Sequence, residues 1–284
     1  MTLPNTLEIE APAKVNLSLR VLQRRQDGFH DIDSVVAPIS LADRLLIHAH
    51  ADPSQFRTLS LSLHVVGEAD LIRPVPVDES NLALRAAAAL AERARVRGFA
   101  EIELEKRVPT AAGLGGGSAD AAATLRALND LWGCGLTPRN LASVAATVGS
   151  DVPALLEGRT VRMRGRGELV EPADPVRARF ILVRFDFGVR TADAYRWWDD
   201  DGGPAGPGDL WANDLEGPVV ARHPRIAEAR SLLERAGLQH VTMCGSGPTL
   251  AGVLGAGMES IDGEAEAALR ELSGRSVIYT TTPA

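Results

Sequence analysis

The sequence predicts an α+β fold, because segments with strand and helix periodicity are mixed without a regular strand–helix–strand repeat. Residues 101–105 alternate strictly between polar and apolar side chains, which indicates a half-buried strand over 101–108 that ends before Pro109. Residues 119–132 instead carry apolar side chains three and four positions apart, which indicates a helix with one buried face. A chain of 284 residues suggests two domains, which we predict at 1–158 and 159–284.

The N-terminal part of the chain is predicted to be rich in strands. Residues 9–22 indicate two strand segments on either side of a turn-like Ala-Pro pair. The alternation after that pair places Lys14 and Asn16 on one face of the strand, opposite its Val and Leu side chains. A polar turn at 24–28 then precedes two strands and a helix, which are predicted at residues 32–39, 45–50 and 81–96.

The later segments mix helices with short strands. Thr137 followed by Pro138 is typical of a helix start, and this helix is predicted to end at Gly149. Ser118 is predicted to cap the helix at 119–132. The acidic and glycine-rich segment 199–208 is predicted to be a flexible loop. Further strands are predicted at 161–170, 180–185, 241–244, 249–254 and 276–282, and further helices at 227–236 and 261–272.

Composition excludes several classes of protein. The net charge is −7, whereas a general nucleic-acid binder needs a basic face to displace counterions. No apolar stretch reaches the roughly 18 residues that a membrane span needs, and the first ten residues lack a secretory signal pattern. Cys134 and Cys244 lie far apart, which disfavours a zinc site or a disulfide framework. We therefore expect a cytoplasmic monomer or weak homodimer with no nucleic-acid or membrane partner.

A glycine-rich turn joins the strand at 101–108 to the helix at 119–132. Four of the five residues from 113 to 117 are glycine, which allows a phosphate group to approach the free N–H groups of a helix start. A Walker A loop requires a lysine immediately before its serine or threonine, but Gly117 precedes Ser118 here. A dinucleotide fingerprint has its third glycine where this sequence has Ser118. The turn therefore predicts an anion site of another type.

Several motifs make this prediction specific. The segment Pro109-Thr-Ala-Ala-Gly-Leu-Gly-Gly-Gly-Ser118 resembles the phosphate-binding motif of the galactokinase, homoserine kinase, mevalonate kinase and phosphomevalonate kinase superfamily. Three further motifs accompany it: Ala-Pro-Ala-Lys-Val-Asn-Leu at 11–17, Asp-Gly-Phe-His at 27–30 and Gly-Ser-Asp-Val-Pro at 149–153. These four motifs, in this order, most closely resemble the branch that phosphorylates a cytidine-diphosphate-linked methylerythritol in the non-mevalonate isoprenoid pathway. A weaker motif, Cys-Gly-Ser-Gly at 244–247, extends the resemblance through most of the chain.

The resemblance implies a fold and a reaction. The expected fold is a two-domain small-molecule kinase, with an N-terminal ribosomal-protein-S5-like domain, a C-terminal ferredoxin-like domain and an active site in the cleft between them. The reaction would transfer the γ-phosphoryl group of ATP to the 2-hydroxyl of the substrate, with Mg²⁺ expected alongside ATP. By resemblance, Asp151 is the general base, and Lys14 orients Asp151 and eases deprotonation of the hydroxyl.

The same resemblance assigns residues to ATP and leaves the metal ligands open. Ser118 or Asp120 could contact Mg²⁺, and the sequence does not decide between them. ATP would be held by Pro109, Thr110, Ala111, Ala112, Gly113, Leu114, Gly115, Gly116, Gly117, Ser118 and Ala119.

A cytidine site is implied by two further segments. Thr191 and Tyr195 match a family segment in which a threonine and an aromatic residue four positions later line the cytidine. Phe29 and His30 match its aromatic–histidine pair, although the family often has tyrosine where Phe29 stands. Flat bases bind well against aromatic rings, which is consistent with this assignment.

Three other residues are candidate contacts. Asn16 shares a strand face with Lys14 and is predicted to touch the substrate. Arg166 stands between two glycines where the family usually has a small apolar residue, and it either reaches the substrate diphosphate or points to solvent. Only two of the 30 basic residues are lysine, Lys14 and Lys106. Lys106 precedes the glycine turn and is either an ATP contact or a solvated strand end.

Other functions fit part of this pattern. A homoserine or mevalonate kinase of the same superfamily would share the ATP turn, but it would not explain the Phe29–His30 and Thr191–Tyr195 segments. A non-catalytic nucleotide- or RNA-binding module is disfavoured by the net charge of −7. A dehydrogenase is disfavoured by the failed dinucleotide fingerprint.

Overall fold

The computed structural model describes residues 5–203, 209–275 and 277–282. The chain divides into two compact units, each of which collects segments from separate parts of the sequence. Unit 1 comprises Met1–Ala13, Leu41–Thr110 and Gly115–Gly158, and unit 2 comprises Lys14–Ser40, Ala111–Leu114 and Arg159–Ala284. The last change of unit along the chain falls after residue 158, and the simpler division into 1–158 and 159–284 stays a prediction.

Strands and helices are mixed along the described residues, as an α+β fold requires. The strands are β1 (Thr6–Arg24), β2 (His30–Ala51), β3 (Leu59–Gly67), β4 (Gly98–Lys106), β5 (Val161–Gly165), β6 (Leu169–Pro172), β7 (Arg179–Val183), β8 (Val241–Met243), β9 (Leu250–Val253) and β10 (Val277–Thr281). The helices are α1 (Ala69–Ile72), α2 (Leu82–Ala94), α3 (Gly116–Leu131), α4 (Pro138–Val148), α5 (Val152–Glu157), α6 (Thr191–Asp200), α7 (Glu216–Arg222), α8 (Arg225–Arg235) and α9 (Gly263–Ser273).

Unit 1 packs helices against a sheet. β4 pairs in parallel with β3 and antiparallel with the second half of β2. Alternate residues of these strands are buried, and Leu45, Ile47 and Leu104 join Leu90 of α2 and Leu125 of α3 in one apolar core. This core fixes the end of β4 and the start of α3, the two elements that the glycine turn connects.

Unit 2 contains a four-stranded antiparallel sheet in the order β10-β7-β9-β8. Numbered within this sheet, the order is 4-1-3-2, with helices after its first and third strands, which is the ferredoxin-like arrangement. Ile181, Val183, Leu233, Leu250 and Leu269 are fully buried and join the sheet to its helices. The same unit also holds the first half of β2, which pairs antiparallel with β5. The ferredoxin-like C-terminal fold is thereby confirmed.

Two predicted strand interruptions are wrong. The Ala-Pro pair does not divide the first strand, because β1 runs continuously from Thr6 to Arg24. β1 pairs with β2 in the sheet, and a strand tolerates proline where the missing N–H faces away from the ladder. The strands predicted at 32–39 and 45–50 likewise form one strand, in which Asp43 is fully buried.

Five of the described elements were not predicted. They are β3, α1, α5, α6 and α7, and the acidic end of α6 was interpreted as loop. Asp199 and Asp200 are helical, whereas residues 204–208 of that predicted loop lie outside the described part of the chain. The helix start at Thr137–Pro138 is confirmed, because the Thr137 side chain accepts a hydrogen bond from the backbone N–H of Asn140. Among the described residues, no helix is long and apolar enough to cross a membrane.

Candidate active site

The glycine turn ends in a helix that begins earlier than predicted. Gly115, in the left-handed conformation with φ of 71°, is the N-cap of α3, so Ser118 lies in the first helical turn and is not the cap. Gly116, the first helical residue, lies against Val108, and a Cβ on it would come within 2.9 Å of the Val108 side chain. The free N–H groups of the helix start follow directly on the glycine turn, as an anion site requires.

Beneath this helix start, unit 1 buries three charged side chains. The Lys106 ammonium donates to Asp43 and, at 3.1 Å, to Asp120 in the second turn of α3. Asp43 also accepts the backbone N–H groups of Arg107 at 2.6 Å and Val108 at 2.8 Å. Lys106, Asp43 and Asp120 are all at least 97% buried, so the alternative of a solvated strand end for Lys106 is wrong.

Burial controls protonation in this cluster. For Lys106, burial acts to lower the pKa, but the carboxylates of Asp120 and Asp43 act more strongly together and leave it above its ordinary value. Burial raises the pKa of Asp120 to about 8, although the Lys106 ammonium opposes that change. Asp120 Oδ1 is buried and has no hydrogen-bond partner among the described residues. Asp120 is therefore a poor choice for a Mg²⁺ ligand, since a protonated carboxyl does not bind a divalent cation well.

In unit 2, Lys14 joins β1 to the middle of the glycine turn. Its ammonium donates to the carbonyl of Gly113 at 2.8 Å and to Asn16 Oδ1 at 2.6 Å. The backbone N–H of Lys14 also donates to the carbonyl of Leu114 at 3.0 Å. Lys14 and Asn16 are each 4% exposed, so the predicted shared strand face is confirmed but is buried. The arrangement fixes a cation at the turn predicted to bind phosphate.

A second turn, at 244–247, lies against this cation. A Cβ on Gly113 would lie 1.8 Å from the carbonyl oxygen of Cys244, and one on Gly245 would lie 3.0 Å from the Lys14 ammonium, so only glycine fits at both positions. Asn213 holds the turn in place by donating to the carbonyls of Met243 and Gly245. Burial raises the pKa of the Cys244 thiol to about 12, so this cysteine is a neutral packing group.

The residues predicted to recognise cytosine form an aromatic cluster in unit 2. The rings of His30 and Tyr195 are stacked, with centroids 4.9 Å apart and planes inclined by 21°. His30 Nε2 also lies 2.9 Å from Asp199 Oδ1, and the edge of Trp198 completes the cluster. Tyr195, Trp198 and Asp199 share one face of α6 because they are spaced three and four residues apart. Sequence reasoning missed Asp199, which the same helical spacing identifies once α6 is recognised.

Two further pairs belong to the predicted substrate residues. The Arg166 guanidinium lies 4.9 Å from the ring centroid of Phe29, and Phe29 is 51% exposed. The turn that carries Arg166 is fixed because Glu168 accepts its backbone N–H at 2.6 Å. Thr191 Oγ1 lies 3.1 Å from Ser246 Oγ.

Asp151 lies in unit 1, at the junction of two helices. α4 ends at Val148, and Asp151 occupies the N-cap position of α5, with Pro153 at its second residue. Its carbonyl accepts the backbone N–H of Leu155, and the residue is half-buried. A carboxylate at this place benefits from the partial positive charge of a helix N-terminus.

Comparison with known proteins identifies the class of kinase to which the chain belongs. Residues 81–159 match the family described as GHMP kinases N terminal domain, and residues 207–275 match GHMP kinases C terminal. A homoserine kinase structure from Cytophaga hutchinsonii has a TM-score of 0.70 at 18% identity, covering 100% of this chain and 96% of its own, which shows a shared fold. These matches confirm the fold class of a GHMP-type kinase.

Two nearer relatives narrow the class. A 4-diphosphocytidyl-2-C-methyl-D-erythritol kinase from Bacillus cereus is 40% identical, over 87% of this chain and 88% of the relative. A crystal structure of 4-(cytidine 5'-diphospho)-2C-methyl-D-erythritol kinase is 35% identical with a TM-score of 0.77, covering 98% of this chain and 100% of that one. The chain belongs to the 4-diphosphocytidyl-2-C-methyl-D-erythritol kinase family.

Proposed function

We propose that the protein transfers the γ-phosphoryl group of ATP to the 2-hydroxyl of 4-diphosphocytidyl-2-C-methyl-D-erythritol. The observation that carries the proposal is the bond from the Lys14 ammonium to the carbonyl of Gly113, which holds a cation at the phosphate-binding turn. Phosphoryl transfer depends mainly on positioning and charge stabilisation, and a fixed cation with a glycine turn supplies both.

In the proposed reaction, the oxygen of the substrate 2-hydroxyl attacks the γ-phosphorus of ATP, and the carboxylate of Asp151 accepts the hydroxyl proton. The bond between the γ-phosphorus and the β–γ bridging oxygen breaks, and ADP leaves with the electrons of that bond. Lys14 assists by stabilising negative charge. Gly113 O and Asn16 Oδ1 accept hydrogen bonds from the ammonium and orient it.

ATP is proposed to bind along residues 109–119. Lys106 was predicted as a further ATP contact, but its ammonium is buried and held by Asp43 and Asp120, so we assign it to the support of the turn and not to contact with ATP. Mg²⁺ would accompany ATP, and its charge would offset that of the transferring phosphoryl group. The described residues hold no cluster of three acidic, histidine or cysteine side chains that could bind a metal. Mg²⁺ usually keeps several water ligands, and we propose that the ATP phosphates would hold it. Ser118, half-buried in the first turn of α3, is the side chain we assign to the metal in preference to Asp120.

Cytosine recognition is assigned to the cluster of His30 and Tyr195, with Thr191 beside it in sequence. Asp199 fixes the His30 ring through Nε2, and Tyr195 stacks on that ring, so the two aromatic side chains form one preset unit for the base. Asn16 is retained as a substrate contact near Lys14. We place the reaction in the cytoplasm of a monomer or weak homodimer, and the two free cysteines support a reducing compartment.

Arg166 is proposed to bind the substrate diphosphate, with the exposed ring of Phe29 supporting its guanidinium. Arg166→Ala is expected to raise the KM for the cytidylyl substrate by about tenfold or more, since a bond to a charged group contributes about 1.5–3 kcal/mol. The KM for ATP should not change. Steady-state kinetics with each substrate varied in turn measures both. Arg164→Ala, two residues away and paired with Glu171, is the control and should match the wild type. An unchanged cytidylyl KM would exclude the diphosphate contact.

The whole proposal is tested by ADP release from the purified protein. With ATP and Mg²⁺, turnover is expected with the cytidylyl substrate and to be negligible with mevalonate or homoserine. A protein that turned over only mevalonate or homoserine would be another kinase of the superfamily. A protein that bound ATP but released no ADP with any of the three would contradict the assignment.

A further inference from the structure

A chain of buried hydrogen bonds extends from Lys14 to β2 in unit 2. The Lys14 ammonium donates to Asn16 Oδ1 at 2.6 Å, and Asn16 Nδ2 donates to Ser34 Oγ at 2.9 Å. Ser34 Oγ donates in turn to the carbonyl of Ser18 at 2.6 Å. Ser34 is fully buried, and nothing in its sequence context marked it as functional.

The groups at the two ends of this series of hydrogen bonds fix which atom donates and which accepts at every step. An ammonium can only donate, so Asn16 must present its oxygen to Lys14. A backbone carbonyl can only accept, so the single hydroxyl proton of Ser34 must point to Ser18. Ser34 Oγ can then only accept from Asn16, which must present its NH2 group on that side. Both ends therefore demand the same orientation of the Asn16 amide.

We propose that Ser34 is a positioning residue for phosphoryl transfer, because it fixes the Asn16 amide that orients the Lys14 ammonium. The proposal rests on the catalytic role assigned to Lys14 above. Without the Ser34 hydroxyl, Asn16 Nδ2 loses its buried acceptor, and the amide can turn away from the geometry that Lys14 needs. Ser34 itself would touch neither substrate, so its effect is expected on the chemical step and not on binding.

The test is the kinetics of Ser34→Ala. Its kcat is expected to fall by about tenfold or more, because a small displacement of a catalytic group is enough for such a loss. Both KM values should stay within about twofold of the wild type. Ser40→Ala is the matched control, since it removes another hydroxyl of β2, which bonds to Thr280 and Thr281 and has no part in the proposed site, and its kcat should not change. An unchanged kcat in Ser34→Ala, or a loss seen only in KM, would overturn the proposal.

Two further variants separate positioning from folding. Ser34→Thr keeps the hydroxyl and should retain near wild-type kcat; a folded threonine variant as slow as Ser34→Ala would overturn the proposal. In an Asn16→Ala background, Ser34→Ala should cause no further loss of kcat, and a full second loss would show an independent effect. Lys14→Met distinguishes the positioning role of Ser34 from the catalytic role of Lys14. An active Lys14→Met variant would contradict the catalytic role of Lys14 and, with it, the positioning role of Ser34. If Lys14→Met is inactive, the Ser34→Ala kinetics decide the role of Ser34 alone.

Discussion

Asp151→Asn is expected to lower kcat by about 10²–10⁴-fold, the range that a positioned general base contributes. Asparagine has nearly the same shape as aspartate and can keep the N-cap position of α5, but it cannot accept the proton of the substrate hydroxyl. ATP binding should be nearly unchanged, since the turn at 109–119 is intact. Loss of turnover with intact binding is the signature of an interaction that acts in the chemical step.

The measurement combines single-turnover kinetics with calorimetric titration of ATP. Asp130→Asn is the control, because Asp130 is exposed near the end of α3 and its amide should turn over like the wild type. Full activity in Asp151→Asn would exclude Asp151 as the base. A variant that failed to bind ATP would instead show that this carboxylate acts in binding.

Much of the fold was predictable because it depends on local periodicity. The alternating strand at 101–108 and the amphipathic helix after the glycine turn lie where predicted, within a few residues. The failures lie where tertiary contacts decide. Asp43 lies between the strands predicted at 32–39 and 45–50, and aspartate is depleted in strands. In the structure it lies inside one strand, where Lys106 and two backbone N–H groups donate to its carboxylate.

The candidate site residues were chosen from the sequence for a different reason. Lys14, the glycine turn and the Phe29–His30 pair are contiguous motifs, so a resemblance can be recognised without any distance being known. Ser34, Asp199 and Asn213 carry no motif, since each acts through a partner far away in sequence. Such partners become visible only when the chain is folded, because their role depends on which donor or acceptor they face.

Lys106→Met is expected to destabilise the protein by about 3–5 kcal/mol, the cost of removing one partner of a buried ion pair. Methionine fills a similar volume, but it leaves Asp43 and Asp120 without their cation. For a chain of this size, the thermal midpoint should fall by about 10 °C. Arg107→Met is the control, because the side chain of this exposed neighbour pairs with Glu105 at the surface and its loss should have little effect.

The pH dependence of the stability lost in Lys106→Met tests whether the loss comes from the buried charge of Asp120. The folded-state pKa of Asp120, about 8, is raised above its ordinary 3.8, so the stability linked to its protonated form is lost as pH rises through about 8. Without Lys106 nothing opposes that rise in pKa, so the deficit of Lys106→Met should be larger at pH 9 than at pH 5. A second substitution, Asp120→Asn, should recover part of the stability at pH 9 by removing the unpaired charge. Thermal unfolding at both pH values measures these differences, and an equal deficit at pH 5 and pH 9 would show that Asp120 does not carry the buried charge.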